Sequence, residues 1–273
     1  SVTDESLNVD PVQEEQDSQK YGVRRIHHVG RKLGMIYESV LKAAHDEEFV
    51  LNLGGDHSVA GASVAAMLQK YPDLIVIWVD AHADCNVPAA SSSGNYHGMV
   101  LAHLFGWFTE ALPGFEWMKS KINANRVGYI GLRDIDEYER VKLEKGPMCV
   151  YSMKRVDEEG VYRSVQNILK RLDPRGDCPI HVSFDVDGAD PSVAPGTGTK
   201  CEGGLTYREC LRIMEMVSAT GRLVSMDIVE VNISMDVQEE PLHGDDPAIC
   251  SKYRTVKFAL HILRSALGYL SIF

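Results

Sequence analysis

Five short stretches of this chain place acids and imidazoles close together: GGDH (54–57), DAHAD (80–84), GLRD (131–134), DVDGAD (185–190) and DIVEVN (227–232). Asp80, His82 and Asp84 fall on every second position, and Asp185 and Asp187 repeat that spacing. Side chains alternate along an extended chain, so residues spaced this way share one side if extended geometry persists. His57 follows a Gly-Gly turn that allows close backbone approach. If all six converge, four carboxylates repel one another by about 4 kcal/mol per close pair at an effective dielectric near ~20. Two divalent cations would cancel that charge and use both imidazoles. Oxygen and nitrogen donors without thiolate suit Mn²⁺, Mg²⁺, Fe²⁺ or Zn²⁺, not a Cys-bound structural zinc. Two such ions about 3.5–4 Å apart can lower the pKa of a shared water and supply hydroxide at neutral pH. That nucleophile suits a poor electrophile such as a guanidinium. The plainer reading, each Asp capping a following helix or loop, accounts for one such residue more readily than for five segments.

Chemistry of this kind needs a frame that delivers distant segments to one rim. Six apolar runs read as strands: FVLNLGG (49–55), LIVIWVDAH (74–82), RVGYIGLRD (126–134), MCVYSM (148–153), PIHVSFDVD (179–187) and RLVSMDIVEVN (222–232). Amphipathic helical runs alternate with them near 31–46, 58–70, 97–109, 157–172, 206–219 and 252–267. That alternation predicts an α/β fold with parallel strands joined by right-handed crossovers, and the near-continuous apolar strands predict helices on both faces. All five polar stretches fall at the carboxyl ends of strands, the edge where open α/β sheets bind ligands. The expected organisation is one α/β domain over residues 21–273. Residues 1–19 carry six acidic groups and no basic one, so 1–20 reads as a flexible acidic segment or solvated loop.

Taken in order and at these separations, GGDHS (54–58), VDAHADCNVP (79–88), SSSGNYHG (91–98), GLRDID (131–136), SFDVDGADPSVAPGTGT (183–199), GGLTYRE (203–209) and DIVEVN (227–232) resemble the arginases of the ureohydrolase family. The resemblance runs from about residue 21 to 232 and more loosely beyond. It implies a three-layer α-β-α fold, arginase/deacetylase-like, with a mostly parallel central sheet. It implies that His57, Asp80, His82, Asp84, Asp185 and Asp187 hold two Mn²⁺ per chain, with Asp84 counted also among the catalytic groups. His97 matches a proton shuttle and Glu230 the carboxylate that receives the guanidinium. Thr199 matches a hydroxyl lining the site. From the residues alone, His97 reads more readily as a helix start or surface residue, while Glu230 reads equally as a sheet-end acid paired with a base and Thr199 as part of a turn. Asn86, Ser91, Ser93 and Asn95 match contacts to a substrate α-carboxylate, with Ser91 where Thr is usual; Asp136 and Glu139 match groups near the α-amine. Neutral donors suit a carboxylate and acids suit an ammonium, so such a site would select arginine over agmatine. Three features depart from the family pattern. Residues 1–20 contain no strand with a GVE-x-GP-type Gly-rich loop, EYE (137–139) replaces Pro-Gly-Glu, and an acidic stretch (235–247) follows Ile233.

The net charge of -11 argues against nucleic acid or an anionic membrane as partner. The six scattered cysteines contain no CxxC pair, which points to reduced thiols in the cytoplasm or another reducing intracellular compartment. The adjacent His27 and His28 read as solvent-exposed, Cys85 as a small apolar residue, and Trp78 as core. The expected activity is hydrolysis of L-arginine, the small-molecule partner, to L-ornithine and urea. Beside it stand two alternatives: a fold-retaining homologue with a binding or regulatory role, and a sister ureohydrolase acting on agmatine or another guanidino compound. The resemblance implies a homo-oligomer, trimer or hexamer.

Overall fold

A computed structural model describes residues 9–46, 49–239 and 251–269 of the chain. The expected strands are present as β1 (Val50–Leu53), β2 (Ile75–Val79), β3 (Val127–Leu132), β4 (Cys149–Ser152), β5 (Ile180–Asp185) and β6 (Leu223–Val229). They form one sheet in the order β1-β6-β5-β2-β3-β4, and every pairing is parallel. Alternation along β2 explains the three layers. Val76 and Trp78 face one hydrophobic cluster, which holds Val40 of α2 (Ile26–His45), the Ala-rich α3 (Val59–Lys70) and α4 (Val100–Leu104). Ile75, Ile77 and Val79 face a second cluster with α7 (Val161–Leu172), α8 (Tyr207–Ser218) and α9 (Arg254–Ala266). Burial on both faces is why β2 and β3 carry no charged residue, and the polar residues of β5 (His181, Ser183 and Asp185) are buried as well. Among the described residues, no helix is long and apolar enough to cross a membrane.

Several sequence expectations need correction. Residues 11–21 are not a loop but helix α1 (Pro11–Tyr21), with Asp10 accepting the Val12 N–H at its start and Pro at the first turn. Its Glu14 is buried and accepts from the His27 amide while facing His28 Nδ1 at 2.9 Å; Asp17 faces His27 Nε2 at 2.7 Å. The two adjacent histidines therefore fasten α1 to α2 and are not solvent groups. The 97–109 run shortens to a 3-10 turn (Tyr96–Met99) and α4, ending where Gly106 takes φ +73°. The 157–172 run splits into α6 (Met153–Glu159) and α7 at Gly160, φ +79°. Helix α5 (Glu137–Lys145) was not anticipated; its acids and lysines carry little apolar periodicity. The 240–247 part of the acidic insertion lies outside the described residues.

Candidate metal centre and substrate cleft

The crossover from β1 to β2 leaves β6 and β5 to fill the gap between them, and the carboxyl ends of these four strands meet at one crevice. Strand geometry does not carry Asp80, His82 and Asp84 there, because β2 ends at Val79. A compact loop does so, with Asp84 forced to φ +48°, a left-handed conformation that costs a non-glycine residue roughly 1–2 kcal/mol. Two glycines let the loop be approached closely. A Cβ on Gly131 (φ +106°) would lie 2.9 Å from Asp80 O, and one on Gly188 would lie 3.0 Å from Asp80 N.

His57 Nδ1 sits 3.0 Å from Asp80 Oδ2, 3.0 Å from Asp84 Oδ2 and 3.2 Å from Asp185 Oδ2. His82 Nδ1 lies 3.3 Å from both Asp80 Oδ1 and Asp187 Oδ2. The donors thus form two groups, His57–Asp80–Asp84 and Asp80–His82–Asp187, and each oxygen of Asp80 serves a different group. Although it is buried among three carboxylates, His57 Nδ1 makes no hydrogen bond. A nitrogen lone pair and several carboxylate oxygens aimed at one point suit a cation better than they suit each other, so the donors present fit a pair of divalent metals. The electrostatics agree. Burial, then the neighbouring Asp187 and Asp80, push the Asp185 carboxyl well above its usual range. Asp84 is pushed up to about 6 by burial and by Asp80. Burial would lower His82, but Asp187 and Asp80 override it and raise the imidazole to about 12. Without a cation, this site must borrow protons.

Beneath the donors lies a buried polar network. His57 Nε2 is 2.9 Å from Ser183 Oγ, which donates to Asp227 Oδ2 at 3.2 Å. Asp227 also accepts from Ser63, Asn52 and His181. An imidazole held through Nε2 keeps Nδ1 available for a metal. Trp78, read from sequence only as core, stacks on His57 at 4.0 Å between centroids and donates Nε1–H to Asp80 Oδ2 at 2.9 Å. The signal for both missed residues lay in spacing: Trp78 stands two positions before Asp80, and Ser183 two positions before Asp185 on one side of β5.

A cavity of about 150 Å³ opens above the donors, lined among others by His97, Ser91, Ser93, Asn86, Thr199 and Glu230. Glu230 has φ +64°, and its Oε1 accepts the His57 amide at 2.8 Å and lies 3.4 Å from His97 Nδ1. That contact, ahead of the opposing effect of burial, holds the His97 imidazole above its usual value. Thr199 donates to Asp187 Oδ2 at 2.9 Å. Ser91 Oγ accepts from the Gly94 amide and Ser93 Oγ from the Asn95 amide, so these serines shape their own loop; Asn95 does not line the cavity. Asn86 donates to Asp136 Oδ2 at 2.6 Å. Glu139 lines the same cavity; it is buried, pushed up to about 7 by that burial, and its oxygens accept the Cys85 and Asp136 amides. It braces the cleft wall, and as a capping box it keeps α5 in register despite the EYE substitution. Asp134, which the sequence reading left unassigned, lines the same cavity, 3.6 Å from His82 Nε2. A third metal-capable group, Asp173–Asp177–Cys178, is accounted for as a turn: Asp173 accepts three amides and pairs with Arg222.

A doubly wound α/β protein with two imidazole–carboxylate groups at its switch point belongs to the class of metal-dependent hydrolase folds. A sequence model of the arginase family matches residues 6–268, and the chain belongs to that family. It is 41% identical over 250 residues to an arginase of Plasmodium falciparum, covering 90% of this chain and 61% of that protein. The fold matches the crystal structure of an arginase from Bacillus cereus with a TM-score of 0.80 at 31% identity, over 91% of this chain and 81% of that one. It also matches an Entamoeba histolytica arginase solved in complex with L-ornithine, with a TM-score of 0.78 at 28% identity, over 90% of this chain and 79% of that one.

Proposed function

We propose that this protein hydrolyses L-arginine to L-ornithine and urea with two Mn²⁺ per chain. The observation that carries the reading is the pair of donor groups joined through Asp80, with His57 Nδ1 buried among three carboxylates and without a hydrogen bond. His57, Asp80, His82, Asp84, Asp185 and Asp187 would hold the metals. Bound there, the metals would activate water and neutralise charge developing on the substrate. Glu230, fixed by the His57 amide, receives the guanidinium as a charge-assisted pair and orients its carbon toward the donors. His97, whose Nδ1 rests against Glu230 Oε1, keeps Nε2 as the atom that hands a proton to the departing amine. Asn86, Ser91, Ser93 and Asn95 belong to the loop that would take the α-carboxylate, and Asp136 is the exposed acid for the α-amine. The solved relative that holds L-ornithine supports a product of that class. The family resemblance extends to a trimer or hexamer in solution.

The test is the metal content of the purified protein, then urea released from L-arginine and from agmatine with and without added Mn²⁺. Two metals per chain with urea from L-arginine is the expected result. Two metals with urea from agmatine alone would move the reading to the sister ureohydrolase. Two metals and urea from neither substrate would leave a fold-retaining homologue.

A further inference from the structure

The metal-ligand loops are held together by a residue that touches neither metal donor atoms nor the cavity. Arg133, immediately after β3, donates seven hydrogen bonds, all to backbone carbonyls. Nη2 reaches Asp187 O and Cys201 O at 2.7 Å each and Ala189 O at 3.2 Å. Nη1 reaches Gly131 O and Gly188 O at 3.2 Å, while Nε reaches Glu202 O at 3.2 Å and Cys201 O at 3.3 Å. The loops close so tightly on the guanidinium that a Cβ on Gly204 would fall 2.6 Å from Nη2.

The places these bonds go explain their use. Asp187 is gripped at both ends: its carbonyl by Arg133, and its carboxylate by Thr199, whose loop Arg133 holds through Cys201. The backbone of the same segment grips the other half of the cluster, since the Arg133 and Asp134 amides donate to Ala81 O at 2.9 and 3.1 Å, beside His82. One residue therefore joins the His82 loop, the Asp187 turn and the Thr199 loop. A guanidinium can do this because its five N–H groups radiate in a plane; a lysine offers three from a single atom.

We propose that Arg133 is a positioning residue that presets the Asp80–His82–Asp187 group for its metal, while the His57–Asp80–Asp84 group depends on it little. The inference rests on the proposed two-metal reading of the site. Arg133→Lys keeps the charge and loses most of the fork. Mn²⁺ titration followed by calorimetry and electron paramagnetic resonance should then show one site weakened about 10- to 100-fold and the other within about threefold of wild type. At limiting Mn²⁺ the signal should shift from that of a coupled pair toward that of an isolated ion. Thr199→Val, on an exposed loop and close in shape, removes the second grip on Asp187. It should weaken the same site, and it keeps the test open if the lysine variant does not fold. Two unchanged affinities in either variant, or equal weakening of both sites, would overturn the proposal. A wild-type protein that binds fewer than two metals would instead refute the two-metal reading, and this inference would fall with it.

Discussion

Replacing Asp227 with asparagine tests whether the network below the metal donors supports them. Asp227 is fully buried and accepts from Asn52 Nδ2 at 2.8 Å, Ser63 Oγ at 2.8 Å, His181 Nε2 at 2.9 Å and Ser183 Oγ at 3.2 Å. Burial would raise its carboxyl, but His181 and these donors override that and hold it below its usual value, so it is ionised. Hydrogen bonds to a charged acceptor contribute about 1 kcal/mol more than neutral ones, which sets an upper limit of about 4 kcal/mol for the four. Asparagine recovers part of this, because a neutral amide is cheaper to bury and Asn52 can turn its own amide to accept. A net loss of about 2–3 kcal/mol is expected in urea unfolding of the metal-free protein at pH 7. A depressed carboxyl pKa stabilises the fold above the unfolded value and stops doing so as pH falls through the folded one. The difference between wild type and variant should therefore shrink below about pH 4. Through Ser183 the same change loosens His57, so Mn²⁺ affinity should fall about 10- to 100-fold. Stability within about 0.5 kcal/mol of wild type together with unchanged Mn²⁺ affinity would show that the network does not orient His57.

Two further tests address other parts of the molecule. Glu230→Gln should keep both metals yet abolish urea release, because the amide cannot pair with a guanidinium as a charge; an unaffected rate would remove Glu230 from the substrate site. His103 is buried, stacked on Phe108 at 4.5 Å, and held down to about 3 by burial and by Lys121. The unfolded chain binds this proton near pH 6.5 and the folded chain does not, so stability should fall with pH below about 6.5, by about 2 kcal/mol at pH 5 relative to pH 8. His103→Gln should remove that slope, and an identical slope in both proteins would refute the argument.

What was legible in the sequence was whatever depends on local pattern. Uninterrupted apolar runs such as IVIWV identified strands buried on both faces, and the polar residues after them marked the functional rim. The i, i+2 acids singled out the candidate donors. The acidic composition of 1–19 misled, because composition records what a segment could solvate and not what it meets. Glu14 and Asp17 find His27 and His28 only after the chain turns back at Gly22.

The sequence by itself determined the alternating α/β architecture, the carboxyl-end site and the donor types, since each follows from periodicity or from residue chemistry at fixed spacing. Only the tertiary structure decided that Asp84 reaches His57 through a left-handed turn, that Glu139 is a brace, and that Asp227 and Arg133 support the donors from below and behind. Those assignments depend on contacts between residues as far as 175 positions apart, as with Asn52 and Asp227. No local pattern encodes such pairs, because the sheet order that makes them neighbours is set by packing the whole chain at once.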